Sequence, residues 1–426
     1  MPPPSGRGCT GPPPPSRPAA DRWWPATWPA PSRRPSATCR AGDGRIAGMN
    51  APPVARAEIV VDLAAIRNNV RRLREVTGVA SMTVVKADGY GHGMLEAARA
   101  AREAGSEWLG VATLDEAAAL RAAGDTGRVL TWLTVPGEDY ASAIAADVDV
   151  TAYSPAELDE IAAGVRAAGR PARVQLKIDT GLSRGGATVE QWPDLVAAAR
   201  AGEEAGRWRV TGIWSHFACS DEPDHPANAA QETAFRHALE VADRAGLRPE
   251  VRHLANSAAG LLRPSARFDL VRFGLASYGL DPAPGHLAEA DLGLVPAMTA
   301  RAVLVLTKPL PAGAGVSYGH TWVADTPTSV GLVPVGYGDG IPRHAGNHAQ
   351  VLVDGKRRAV RGQVCMDQFV VDLGGDLLEP GHAVVLFGPG TAGEPTVQEW
   401  ADAAGTISYE IISRIGGRMS RRYVDS

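Results

Sequence analysis

Past residue 56 the chain alternates short apolar runs with alanine-rich segments of helical period, and this alternation limits its fold more than any other feature. Candidate strands fall at 82–86, 109–112, 128–133, 147–152, 173–178, 210–214, 251–254 and 269–273, which makes eight. Between most of them lie candidate helices, at 94–104, 114–123, 155–168 with Ser154 as N-cap, and 229–245. The stretch 133–147 is the weakest connection. Eight strand–helix repeats within about 220 residues predict a (β/α)8 barrel closed on itself, the alternative being an open, doubly wound sheet. No Gly-x-Gly-x-x-Gly follows the first strand, which disfavours the open sheet.

From about residue 291 the texture changes to short alternating runs at 299–306, 329–335, 348–353, 364–373 and 383–387, separated by Gly and Pro. These predict a second, mostly β domain over 291–426, after a barrel over 56–290. The run 58–61 precedes the barrel strands and is a candidate to pair with that second domain.

Residues 1–48 differ from the rest. Twelve of the 33 prolines lie there, with seven Arg against two Asp, so this segment is +5 and the remaining 378 residues are −9 within a total of −4. Such a composition builds no packed core. It reads either as a disordered Pro/Arg-rich extension or as sequence upstream of a translation start at Met49, and it fits neither a secretory signal nor a transit peptide well. The balance of 43 basic and 47 acidic residues gives no electrostatic reason to expect nucleic acid, and no apolar run reaches the length of a membrane span. Two of the four cysteines fall in the extension, leaving Cys219 and Cys365; this sparse usage suits a reducing cytoplasm.

Barrel enzymes gather their chemistry where the strands end. Here one strand ends at Lys86, another at Lys177-Ile178-Asp179, a third runs into Ser215-His216, a fourth into Asn256-Ser257, and the last carries Arg272 before Gly274. A lysine ending an apolar strand is partly desolvated, which favours its neutral amine and Schiff-base chemistry. The plain alternative for Lys86 is an ion pair that plugs the barrel mouth. Ser257 and the backbone N–H groups near Gly274 offer a phosphate cradle after the last two strands. A Schiff-base lysine with a phosphate cradle suggests pyridoxal 5′-phosphate. No metal is expected.

Seven motifs then make the chain resemble the alanine racemases, from about Arg56 to Tyr423. The most specific is Val84-Val85-Lys86-Ala87-Asp88-Gly89-Tyr90-Gly91-His92-Gly93. The others are Lys177-Ile178-Asp179-Thr180-Gly181-Leu182-Ser183-Arg184, His253-Leu254-Ala255-Asn256-Ser257, Val271-Arg272-Phe273-Gly274, Val316-Ser317-Tyr318-Gly319, Gly336-Tyr337-Gly338-Asp339-Gly340 and Cys365-Met366-Asp367-Gln368. The resemblance implies interconversion of L-alanine and D-alanine by two bases, Lys86 on the D-face and Tyr318 on the L-face, supplying D-alanine for peptidoglycan. It implies that Tyr90, Ser257 and Tyr409 hold the cofactor phosphate with backbone N–H groups of Gly274 and Leu275, that His216, Asn256 and Arg272 complete the cofactor site, and that Arg184 and Met366 meet the substrate carboxylate. Lys177 matches a lysine carried as a carbamate by some members. An arginine can only donate a hydrogen bond to the ring nitrogen, so Arg272 argues for inversion of stereochemistry over transamination.

By the same resemblance the enzyme is a homodimer in which the β domain of one subunit completes the barrel of the other. Gln363 stands where several relatives have an arginine, while Arg343 is retained, and both positions belong to the access corridor. The readings kept beside the racemase are a related pyridoxal phosphate decarboxylase and a non-catalytic carrier of the cofactor.

Overall fold

The computed structural model describes residues 55–287 and 292–425, so the expectations for residues 1–48 lie outside the described residues. Strand β1 (Ala57–Asp62) ends on a residue that also starts a helix. The Asp62 carboxylate accepts the N–H groups of Ala64 (2.9 Å) and Ala65 (3.2 Å), two donors that the first turn of helix Leu63–Thr77 cannot otherwise satisfy. That helix stops at Gly78, whose φ of +66° a residue without a Cβ adopts at no steric cost.

The eight apolar runs become β2 (Ala80–Val84), β3 (Trp108–Val111), β4 (Arg128–Thr131), β5 (Asp149–Ala152), β6 (Ala172–Lys177), β7 (Trp208–Trp214), β8 (Val251–His253) and β9 (Leu270–Phe273). All neighbours pair in parallel in the order β8-β7-β6-β5-β4-β3-β2-β9. No ladder joins β8 to β9, but Asp269 N–H donates to Arg252 O (3.0 Å) and Arg272 N–H to Ala255 O (3.1 Å) across the seam, leaving a nearly closed barrel. Strands covered on both faces must be apolar throughout. Val129, Val150, Val174, Val210 and Val271 are accordingly wholly buried.

Helix Pro155–Ala168 matches the expected span, with the Ser154 hydroxyl accepting Glu157 N–H (3.3 Å). The next expected helix begins earlier, at Pro226, because proline suits the first helical turn and His225 caps it. The weak stretch 133–147 holds a short helix, Tyr140–Ala145, capped by Asp139. At the bottom of the barrel the buried carboxylate of Asp149 takes Arg128, Arg173 (2.8 Å) and the Thr211 hydroxyl (2.6 Å), a closed network that leaves chemistry to the opposite end.

The C-terminal part forms β10 (Met298–Val303), β11 (Leu306–Leu310), β12 (Gly315–Val316), β13 (Trp322–Val323), β14 (Thr328–Val333), β15 (Gln350–Val353), β16 (Lys356–Arg361), β17 (Phe369–Gly374), β18 (Ala383–Phe387) and β19 (Ser420–Val424). Nine strands make one sheet in the order β11-β14-β17-β16-β15-β18-β10-β1-β19. The early run therefore pairs as expected: β1 lies antiparallel to β10 and parallel to β19. Two expected runs are divided differently. The run 299–306 breaks at Leu304 and Val305 into β10 and β11, and 364–373 becomes a strand only from Phe369, since Val364–Gln368 is the loop that bears Cys365 and Met366.

Candidate active site

The C-terminal end of β2 delivers Lys86 into the barrel mouth, with Nζ 5.5 Å above the Trp132 ring. Burial, then the cations Arg184 and Arg272, push its pKa below the ordinary lysine value, while Glu116 acts in the opposite direction. After Lys86 the backbone turns left-handed: Ala87, Asp88, Gly89, Tyr90 and Gly91 all have φ between +52° and +79°. Two of these positions are glycine, and Gly91 must be, because a Cβ there would stand 2.0 Å from Ile412 O. The turn swings Tyr90 back under the mouth. There its ring stacks on Tyr278 (5.2 Å), which stacks in turn on His92 (4.4 Å) and donates its hydroxyl to Val84 O (3.0 Å). His92 Nδ1 lies 2.9 Å from Tyr90 O, and burial lowers its pKa to about 4, so a neutral His92 donates to that carbonyl.

Arg272, on the strand beside β2, is 4% exposed. Burial lowers its pKa to about 9, which still leaves it charged at neutral pH. Its Nη1 donates to His253 Nδ1 (2.9 Å) and His253 O (3.2 Å), and its Nη2 to Ser215 O (2.8 Å), His216 Nδ1 (3.0 Å) and Leu254 O (3.1 Å). Because guanidinium only donates, both imidazoles must present a bare Nδ1 and carry their proton on Nε2. His253 gives that proton to Gln175 Oε1 (2.7 Å). His216 is held neutral, its pKa driven well below 6.5 by burial and by Arg272. Among the described residues the Arg272 Nε–H has no protein acceptor, and the atom is not sealed from the mouth.

Beyond β9 the chain makes a pocket of donors. A Cβ at Gly274 would meet the Tyr90 hydroxyl at 2.5 Å, so glycine here lets the phenol approach the backbone. Gly274 N–H donates to Ser257 Oγ (3.0 Å), and Leu275 opens the short helical turn that follows. Tyr409, from helix Ser408–Arg414, brings its ring to 6.1 Å from Tyr90. Burial raises both phenols, Tyr409 to about 12, so both stay protonated donors at neutral pH. Asn256 stands behind this pocket, its amide oxygen capping helix Ser257–Leu262 through Ala259 N–H (3.1 Å) and its amide group donating to Ser220 Oγ (2.8 Å).

Lys177 ends β6 with Nζ over the Trp214 ring (4.4 Å) and the Tyr153 ring (5.4 Å). Burial, then Arg272 and Arg184, lower its pKa to about 8. It makes no hydrogen bond to Asp179, whose carboxylate instead accepts the N–H groups of Gly181 (2.9 Å), Ser183 (3.1 Å) and Arg184 (3.2 Å), shaping the loop that carries Arg184 to the mouth.

Two expected residues do not join this cluster. Tyr318 is 72% exposed and Met366 55% exposed, both on the β domain. They share one patch, since Ser317 Oγ lies 3.3 Å from Cys365 Sγ and Tyr337 N–H donates to Cys365 O (3.0 Å). Gln363 supplies the carbonyl that accepts Ser317 Oγ–H (2.7 Å), and Arg343 lines a nearby cavity of about 270 Å³ with Tyr337 and Arg414. Sequence reasoning missed Trp132, Trp214, Gln175 and Tyr278, which line or brace the mouth. Their one sequence signal is position, on or just after a barrel strand. Among the described residues no group of His, Cys, Asp or Glu is placed to hold a metal, and no helix is long and apolar enough to cross a membrane.

Residues 61–282 match the model of the alanine racemase N-terminal domain and residues 297–423 that of the C-terminal domain. The chain is 56% identical over 382 residues to the alanine racemase of Streptomyces coelicolor, covering 88% of this chain and 98% of that protein. Among solved structures it is similar to alanine racemase from a D-cycloserine-producing Streptomyces lavendulae, with a TM-score of 0.86 and 53% identity over 87% of this chain and 98% of the other. The alanine racemase of Bacillus anthracis with bound L-Ala-P is similar at a TM-score of 0.79 and 32% identity, over 88% and 96% of the two chains.

Proposed function

Because the chain belongs to the alanine racemase family, we infer that it interconverts L-alanine and D-alanine at the barrel mouth with pyridoxal 5′-phosphate as cofactor. The observation that carries the cofactor assignment is Arg272: four Nη hydrogens given to the protein, and one Nε–H left for an acceptor beside Lys86. A ring nitrogen that only accepts fits that donor. The hydroxyls of Tyr90, Ser257 and Tyr409 and the backbone N–H of Leu275 fit a phosphate at the other end, with Gly274 N–H already directed onto Ser257 Oγ and so aiming its hydroxyl. Bound there, the cofactor supplies the electron sink that makes the α-proton of an amino acid removable.

The chain's own groups then divide the work. Lys86, with a pKa lowered by burial and neighbouring cations, holds the cofactor and exchanges the α-proton of D-alanine. Tyr318 exchanges it from the opposite side for L-alanine. Arg184 receives the substrate carboxylate, and Met366 contributes from the exposed patch. Arg272, whose guanidinium holds its proton far more strongly than a pyridine nitrogen would, could donate a hydrogen bond to the ring nitrogen without protonating it, which would favour return of the α-proton over side reactions. His216, neutral and with Nε2–H free of Arg272, is the next link from Arg272 towards an incoming phenol. Lys177, uncommitted to Asp179 and with a pKa near 8, is the amine suited to carbamylation; the anion so formed would steady Arg184.

The exposure of Tyr318 and Met366 supports a homodimer in which each β domain completes the partner's barrel. The product suits peptidoglycan synthesis in the cytoplasm, where Cys219 and Cys365 remain free thiols. The test is a visible absorbance scan of the purified protein, borohydride reduction followed by mass mapping of Lys86, and an assay of L-alanine conversion with D-amino-acid oxidase. A band fixed on Lys86 together with D-alanine is the expected result. A band without D-alanine would overturn the activity, and no band would overturn the cofactor assignment.

A further inference from the structure

The carboxylate of Glu116, which no step above uses, reaches the turn that carries Lys86. Glu116 is the third residue of helix Leu114–Ala122, whose N-cap Thr113 accepts Glu116 N–H (3.2 Å). In a capping box the glutamate returns to the N-cap backbone. Glu116 Oε2 does so, accepting Thr113 N–H (3.3 Å) and, more closely, Ala112 N–H (2.7 Å). Its other oxygen leaves the helix. Oε1 accepts Ala87 N–H at 2.7 Å, the peptide that follows Lys86.

That peptide opens the left-handed turn. Ala87, Asp88 and Tyr90 each sit where an L-residue gives up roughly 1–2 kcal/mol, so contacts from outside the turn must fix it. Asp88 is held from the β domain by Arg421 (2.7 Å), three residues short of the end of β19. The side of the turn nearest Lys86 is held by Glu116. We propose that Glu116 is a positioning residue for Lys86: through Ala87 N–H it sets where the left-handed turn begins, and its carboxylate is the counter-charge to the cations of the barrel mouth.

The charged groups facing Lys86 are Glu116 from the helix after β3, Arg184 from the loop after β6, Arg272 on β9 and, beside them, Lys177 on β6. An amine that must both hold a proton and give it up works best with its pKa near the operating pH. The cations and burial drive Lys86 downward, and Glu116 limits the descent. This role rests on Lys86 being the reacting amine.

The full chain, stripped of cofactor with hydroxylamine, would be acylated with trace acetic anhydride across a pH series and the Lys86 peptide quantified by mass spectrometry. The proteins compared are the parent, Glu116→Gln, Glu116→Ala and Thr113→Ala. In Glu116→Gln the Lys86 midpoint moves to lower pH by about half to one unit, since an anion is lost beside a partly buried amine. In the reconstituted enzyme kcat then falls about 10-fold with KM for L-alanine changed less than about 2-fold, and Glu116→Ala loses up to about 100-fold. Thr113→Ala removes the helix cap but not the Ala87 contact; it lowers Tm and keeps the parent's midpoint and kcat. If Glu116→Gln and Thr113→Ala lower Tm alike while neither moves the midpoint, Glu116 is a helix cap and the proposal fails. A shifted midpoint in proteins that make no D-alanine would leave the positioning role standing and sink the racemase reading instead.

Discussion

Lys177 bears on stability as well as on chemistry, because its amine is buried among cations and aromatic rings. Its pKa falls from 10.5 to about 8 on folding, so between those values the unfolded chain binds a proton that the native state does not. Stability therefore rises with pH through that window, and the penalty is fully present below about pH 8. In carbon-dioxide-free solution Lys177→Met should raise stability at pH 7 by on the order of 2 kcal/mol. The gain should fade towards pH 10.5, as read by urea titration of both proteins at several pH values. A pH-independent difference would mean that the amine is not desolvated. At this scale the sequence was most informative about residues whose charge sits at a strand end, Lys86, Lys177 and Arg272 among them. Residues that act through packing were not legible. Tyr278 and Trp214 look like ordinary core aromatics, and only the fold brings one against Tyr90 and the other under Lys177.

The left-handed turn from Ala87 to Gly91 decides how the element scale behaves. Gly91 combines a φ of +79° with a Cβ position 2.0 Å from Ile412 O, whereas Gly124 has a φ of +92° and nothing within 4 Å. Gly124→Ala should cost about 1 kcal/mol, the conformational term alone. Gly91→Ala should cost about 3 kcal/mol or more and weaken cofactor retention, because helix Ser408–Arg414 must move away. Equal losses in chemical denaturation would show that the contact with Ile412 yields freely. Barrel strands were readable because burial on both faces demands continuous apolar runs. Strand β16 was not: Lys356, Arg357 and Arg358 offer no apolar alternation, and it pairs with β15 through the Asp354-Gly355 turn, where φ is +51° and +69°. That two-residue turn is the local signal that would have found it.

For the whole molecule, the patch of Tyr318, Tyr337 and Met366 is exposed, whereas Arg272 and Ser257 at the barrel mouth are buried. A Lys86→Ala subunit mixed with a Tyr318→Phe subunit should regain activity in the hybrid, towards about half of the sites in each heterodimer by simple counting of intact pairs. Verified heterodimers without activity would exclude shared sites. The barrel was legible from sequence because each strand meets a neighbour close along the chain. The long-range order of the β sheet was not, since register between distant strands is set by twist and side-chain fit that no local pattern encodes. Strand β1 makes the point sharply, wedged between β10 and β19, with Val61 opposite both Met298 and Tyr423. During synthesis this strand leaves the ribosome long before either partner exists, and a nascent chain arrested ahead of Ser420 would carry it with one edge unsealed. Completion of the fold is thus tied to β19, and a chain that lacks this strand should meet the cell's proteases before it meets alanine.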